Sequence, residues 1–272
     1  MNQPLPFRHW ADYTSRDFAQ LDRSRLIAIL PVGAIEQHGP HLPLAVDTAI
    51  INAFVRTVAA RMPDDLPALF LPTQSIGKSN EHARYPGTLT LSASTLTSSW
   101  MDIGASVAAS GVRKFVLFNS HGGQSTVMDI VARDLRERHG LLAVCANWYS
   151  MDLPPGLIDE EEMRYGIHAG ELETSMLLAL HPELVKMEAA QDFISRERRT
   201  ANDFHRLGFD GGPGRIAWQT QDLHPQGACG NAARATAETG RQVIEHVADG
   251  FVELLKEIDR APLDWLDATP AW

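Results

Sequence analysis

The sequence predicts an α/β fold with a mostly parallel central sheet, on two observations. Four short, nearly continuous apolar runs recur along the chain, at residues 26–32 (LIAILPV), 68–72 (ALFLP), 115–118 (FVLF) and 141–146 (LLAVCA). Strands buried on both faces read this way, whereas a strand with one wet face alternates. Helical periodicities lie between these runs. Strand and helix in alternation imply right-handed crossovers, with helices on both faces of the sheet.

Taken in order, the first run leads into a helix whose apolar stripe is Ile50, Ile51, Phe54, Val55 and Val58. Leu96, Trp100, Ile103 and Val107 mark a second helix, and Val127, Ile130, Val131 and Leu135 a third, closed by Gly140. A further helix begins near Glu171. Residues 232–259 form the last, with Ile244, Val247, Phe251, Leu254 and Ile258 on one side. Residues 203–231 are rich in Gly and Pro and weakly periodic, which predicts a long loop serving as a lid or an oligomer contact. No repeat and no Pro-, Gly- or Ser-rich linker divides the chain, so residues 1–272 are expected to form a single domain.

Composition narrows the function. Of 272 residues, 34 are Asp or Glu against 24 Lys or Arg, a formal net charge of −10. Neutralising nucleic-acid phosphates needs clustered cations, so a nucleic-acid partner is not expected. The basic stretch Arg196-Glu197-Arg198-Arg199 is interrupted by acid and reads as a solvated helix face. No apolar run reaches the roughly 18 residues of a membrane span, and the N-terminal stretch lacks the apolar core of a signal peptide. A cytoplasmic protein without a membrane partner is the expectation. Cys145 and Cys229 lie in no C-x-x-C motif and read as ordinary buried thiols. No G-x-S-x-G elbow, G-x-G-x-x-G turn or P-loop follows a strand, which removes support for α/β-hydrolase and nucleotide-binding readings.

In open α/β sheets ligands collect at the carboxyl ends of the strands, and the polar clusters lie there. After the first run comes GAIEQHGPHLP (residues 33–43), then Asp47. In an extended segment Glu36 and His38 point the same way, and Asp47 at a helix start can join them. Imidazole with carboxylate suits a borderline divalent metal such as Zn2+, Mn2+ or Fe2+. An isolated E-x-H is more often a plain polar loop with a capping Asp. After the third run, His121 is followed by Gly122 and Gly123, which let a ligand or backbone approach closely; a glycine-rich turn with a locally bonded His explains the same residues. In HAGELETS (residues 168–175), Glu171 and Glu173 diverge by about 200° on a helix, so one faces a site and the other solvent, or both serve the helix dipole. EHARYPGT (residues 81–88) could bring His82 or Glu81 to the same sheet edge, or form a surface loop. Trp148 and Tyr149 could wall a flat substrate, although core packing is the commoner fate.

Taken together, EQHGPHLPLAVDT, EHARYPGT, NSHGGQS and HAGELETS, in that order, resemble the creatininase family of metal-dependent amidohydrolases. The likeness runs from about residue 26 to 180. The resemblance implies a three-layer α/β/α sandwich, a centre of two divalent metal ions per subunit and a homo-oligomer, often a hexamer. It implies Glu36, Asp47 and His121 on one metal and His38 with Asp47 on the other, Asp47 bridging, and His168 as the catalytic proton carrier. Creatinine-hydrolysing members have a carboxylate two residues after the strand-end His, where this chain has Gly123. That departure makes Glu173, in the retained E-T-S motif, the candidate for the remaining ligand and counts against creatinine as substrate.

The expected activity is hydrolysis of a non-peptidic C–N bond in a cyclic or other small amide by metal-activated water. Gly122, Gly123, His82, Trp148 and Tyr149 are the candidate substrate contacts. The alternatives are a hydrolase or lyase acting on a sugar-like ring ketone or a formamide, and a non-catalytic metal- or metabolite-binding module.

Overall fold

A computed structural model describes residues 5–209 and 213–271. Residues 210–212, within the predicted 203–231 loop, and the extreme ends of the predicted 1–272 domain lie outside the described part. After a short α1 (Ser15–Phe18), the chain alternates β1 (Ile27–Val32), α2 (Val46–Arg61), β2 (Ala68–Phe70), α3 (Ala93–Ala109), β3 (Lys114–Asn119), α4 (Ser125–His139) and β4 (Leu142–Asn147). The four strands form one parallel sheet in the order β2-β1-β3-β4. All four apolar runs are therefore strands of one sheet, with their carboxyl ends on one edge.

Strand parity divides the core in two. Ile27, Ile29, Val116 and Phe118 point to one face, where they meet Phe54 of α2 and, further along the chain, Phe251. Ala28, Leu30, Phe115 and Leu117 point to the other, against Trp100 of α3 and Leu135 of α4. This is the three-layer α/β/α sandwich. Such burial is the main driving force, worth about 1.5–3 kcal/mol for each fully buried large apolar side chain. β4 differs from the expectation of strands buried on both faces: only Ala146 of its residues is buried. It is an edge strand, with a neighbour on one side only.

The second half of the chain adds α5 (Glu160–Tyr165), α6 (Glu171–Leu180), α7 (Arg196–Thr200), α8 (Thr220–Leu223) and α9 (Ala237–Arg260). The last helix starts later than residue 232, because Thr236 is its cap and accepts from the Thr239 N–H. α9 lies against α6 and α2. Close approach depends on Gly240, where a Cβ would lie 1.9 Å from the Ser175 carbonyl oxygen of α6. The predicted long loop carries local structure: β5 (Asp192–Phe193) pairs with β8 (Gly230–Asn231), β6 (Leu207–Gly208) pairs with β7 (Gly214–Arg215), and α8 lies between. Two-residue strands leave no hydrophobic period to read. Among the described residues, no helix is long and apolar enough to cross a membrane.

Candidate metal centre

Beyond the carboxyl ends of β1 and β3, four segments deliver histidines and carboxylates to one buried point. Residues 36–38 follow β1, Asp47 lies in the first turn of α2, His121 follows β3, and residues 168–173 lead into α6. Glu36, His38, Asp47 and His121 are each at most 3% exposed. Burial of this kind is costly for charged groups unless a counter-charge is present.

Backbone carbonyls orient the rings, since a carbonyl can only accept. His38 Nδ1 donates to the Glu36 carbonyl at 3.0 Å. Its Nε2 is left facing Asp47 Oδ1 and Glu173 Oε2, each at 3.8 Å. His121 Nε2 donates to the Lys78 carbonyl at 2.9 Å, which turns Nδ1 toward Glu36 Oε2 at 3.3 Å and Asp47 Oδ2 at 3.8 Å. His168 Nε2 donates to the Gln37 carbonyl at 2.9 Å, and its Nδ1 lies 3.8 Å from Glu36 Oε1. Three imidazoles thus turn toward the centre the nitrogen that a backbone carbonyl leaves free. A metal-binding histidine is typically held in this way through its other nitrogen.

Three atoms test whether a cation fits. Glu36 Oε2, His38 Nε2 and Asp47 Oδ2 are buried without a hydrogen-bond partner among the described residues. Buried polar atoms are normally satisfied, so this convergence fits a ligand set. Electrostatics agree. Burial and then Glu36 push the Asp47 carboxyl well above the usual range, and burial also raises Glu173. Burial opposes charge on His121, yet Glu36, Asp47 and Glu81 outweigh it and push the imidazole up to about 10. Burial likewise raises the Glu36 carboxyl, but His121 and His82 overcome it and hold the group well below its ordinary value. The pocket selects positive charge. Glu36, His38 and His168, Glu36, Glu81 and His121, and His38, Asp47 and Glu173 are each close enough to share an ion. The mixture of imidazole and carboxylate without thiolate suits Zn2+, Mn2+ or Fe2+. Asp47 turns Oδ1 to His38 and Oδ2 to His121.

The other expected residues sort clearly. Glu173 turns inward, and its Oε2 accepts from the Ala169 N–H at 2.6 Å. Glu171 points away, 3.7 Å from Arg234, and is 5% exposed, so the expectation that the other acid faces solvent does not hold. His82 is buried, with Nε2 3.3 Å from Glu36 Oε1. Gly122 is exposed beside open space. At Gly123 a Cβ would lie 1.6 Å from Glu81 Oε1, so that space is filled by the Glu81 carboxylate. Trp148 is buried in the core against Phe54, their ring centroids 6.0 Å apart. The Tyr149 hydroxyl is 2.7 Å from Ser125 Oγ and 3.1 Å from Asn147 Oδ1.

Gln37, Thr220 and Gly227 join the centre without having been predicted. Gln37 was hidden by parity, which turns it away from Glu36 and His38 in a straight strand; here the segment after β1 is irregular and all three are buried. Thr220 and Gly227 come from the 203–231 segment. Gly227 has φ +76°, and a Cβ there would lie 2.2 Å from Gln37 Oε1. Glu81 was legible as a candidate of the EHARYPGT segment, but its place over Gly123 was not.

The family model for creatininase, described as creatinine amidohydrolase, matches residues 11–255. The creatinine amidohydrolase of Pseudomonas putida is 29% identical over 260 residues, 91% of this chain and 94% of the relative. The mycofactocin precursor peptide peptidase of Mycobacterium tuberculosis (strain ATCC 25618 / H37Rv) is 36% identical over 176 residues, 62% of this chain, and the match spans 64% of the peptidase's length. A solved structure of creatininase with manganese superposes with a TM-score of 0.71 at 25% identity, covering 92% of this chain and 98% of that one. With a family match over most of its length, the same sandwich and a divalent-cation site at the sheet edge, this chain belongs to the creatininase family.

Proposed function

We propose that this chain is a divalent-metal-dependent amidohydrolase that cleaves the C–N bond of a small or cyclic amide with water. The observation that carries the reading is the convergence of three unpartnered, buried ligand atoms on Glu36, His38 and Asp47. Glu36, Asp47 and His121 would hold one ion, and His38, Asp47 and Glu173 a second, with Asp47 shared. Bound divalent cations supply Lewis acidity, which polarises a carbonyl and makes water a competent nucleophile near neutral pH.

The chain's own residues do the rest. His168 is the proton carrier: its Nε2 is tied to the Gln37 carbonyl, so Nδ1 is the atom free to take a proton from water and return it to the departing nitrogen. Glu173 lies within 3.8 Å of His38 and is held by the Ala169 N–H, which fixes the helix start that follows His168. Ala169 has φ +54°, a left-handed conformation uncommon for a residue other than glycine. Creatinine is disfavoured as the substrate, because the carboxylate of creatinine-hydrolysing members is replaced by Gly123, over which Glu81 lies. A peptide amide is the second reading, favoured by the 36% identity to a peptide peptidase. A homo-oligomeric, cytoplasmic enzyme with two ions per subunit completes the proposal.

The test is a panel of creatinine, small cyclic amides, short peptides and esters, incubated with metal-loaded protein and with protein stripped by a chelator. Amide cleavage that vanishes on stripping and returns with Zn2+ or Mn2+ is expected. Turnover confined to esters, or amide cleavage indifferent to the chelator, refutes the reading.

A further inference from the structure

Of the four histidines around Glu36, three are tied through one ring nitrogen to a backbone carbonyl; His82 is held differently. Its Nδ1 lies 2.7 Å from Gln37 Nε2. Which way that amide faces is settled by its other bonds. Gln37 Nε2 donates to the Gly227 carbonyl at 2.9 Å, and Gln37 Oε1 accepts from the Gly39 N–H at 3.0 Å. The nitrogen beside His82 is therefore an N–H donor, and His82 Nδ1 must accept. His168 Nε2, 3.3 Å from the same amide, is itself an N–H committed to the Gln37 carbonyl and cannot compete as acceptor. The Thr220 hydroxyl, 2.9 Å from His82 Nδ1 and 3.1 Å from the Glu81 carbonyl, has one hydrogen and can turn it to Nδ1. A neutral imidazole that accepts at Nδ1 carries its proton on Nε2. That nitrogen lies 3.3 Å from Glu36 Oε1.

We infer that Gln37 and His82 are positioning residues for Glu36: Gln37 sets the tautomer of His82, His82 donates to Oε1, and Oε2 is thereby aimed at the cation. The inference rests on the reading of this centre as a metal site. Glu36 Oε2, which has no hydrogen bond among the described residues, lies 3.3 Å from His121 Nδ1. The arrangement also ties the 203–231 segment to the centre, through hydrogen bonds from Gln37 to the Gly227 carbonyl and to His82, whose Nε2 lies 3.3 Å from the Glu36 carboxylate. His82 is then neither a metal ligand nor a substrate contact. Outer partners of metal ligands commonly matter by about 10–100-fold in metal affinity.

The experiment measures Zn2+ affinity by competition with a chromophoric chelator, together with the histidine 15N–1H correlation spectrum of the metal-free and Zn2+-loaded protein. His82→Ala and Gln37→Met should each weaken Zn2+ binding by about 10–100-fold. His82→Gln places an amide N–H where Nε2–H was, and should recover most of that loss. In the wild type the His82 resonances should show Nε2 protonated and Nδ1 bare, and Gln37→Met should erase that preference. Unchanged affinity in His82→Ala, loss in His82→Gln equal to that in His82→Ala, or a His82 protonated on Nδ1 in a metal-binding chain each overturns the inference. A wild-type chain that takes up no divalent cation overturns the metal-site reading itself, a different failure.

Discussion

Glu162 offers the most quantitative test of how this site is held. It lies in α5, is 7% exposed and touches none of the proposed ligands. Its Oε1 accepts from the Glu171 N–H and its Oε2 from the Asn231 N–H, both at 2.8 Å. Three glycines close around Oε1: a Cβ at Gly166, Gly170 or Gly230 would lie 2.2, 2.4 or 2.5 Å from it. One carboxylate thus ties the start of α6, which bears Glu173, to β8 and to the end of α5. Glu162→Gln keeps the shape but has only one acceptor oxygen, so one N–H faces an NH2 group. A lost bond to a charged acceptor is worth about 1.5–3 kcal/mol, and relief from burying the charge returns part of it. The net cost is about 2 kcal/mol. For a chain of this length that lowers Tm by roughly 4–8 °C. Glu162→Ala strands both N–H groups and should cost about 4 kcal/mol. Calorimetry reads the shift, and amide exchange at Glu171 and Asn231 locates it. A Glu162→Gln protein that melts with the wild type and exchanges no faster at either amide would falsify the clamp.

Other predictions concern the centre and its support. His121→Ala should lose at least one metal ion by elemental analysis and nearly all turnover; survival of both would show that His121 is not a ligand. His41 is buried, with Nε2 2.9 Å from Thr174 Oγ1, and burial pushes its pKa down to about 4. Its native pKa lies below the unfolded value near 6.5, so the folded state binds fewer protons and stability falls as pH drops from 6.5 to about 4. That loss is at most about 3 kcal/mol, and His41→Gln, which does not titrate there, should show a shallower acid limb in urea melts. An equal slope in both proteins removes His41 from the account. Gly240→Ala would drive a Cβ into the Ser175 carbonyl, a backbone atom that cannot swing aside, and should cost about 3 kcal/mol or more. Wild-type stability in that variant would mean that α6 and α9 are not packed as described.

Some features are legible in the sequence by itself. Residues 26–32 are apolar without alternation, and with helical periodicities between such runs this predicts helices on both faces of the sheet, while the three-layer sandwich was implied by the family resemblance. Glu36, His38, Asp47 and His121 were legible as candidates because they stand just after strands or at a helix start, where chain direction and the sheet place them on one edge, and the family resemblance supplied their reading as ligands. Local periodicity carries that information. It carries none about groups brought together from distant segments. Gln37 and Gly227 are 190 residues apart, and only the folded chain puts the amide of one on the carbonyl of the other. Parity in an ideal strand turned Gln37 away; the irregular turn after β1 brings it in. The glycine at position 123 could be read as an open approach for substrate, until Glu81 from the segment after β2 was found over it. Likewise Glu171 and Glu173 were indistinguishable by spacing, and the choice between them rests on Arg234 drawing one out and Ala169 holding the other in. Sequence order thus determined the layers and the edge on which chemistry gathers. Tertiary packing decided which oxygen of each carboxylate and which nitrogen of each imidazole is free, because hydrogen-bond direction depends on partners that local sequence does not supply.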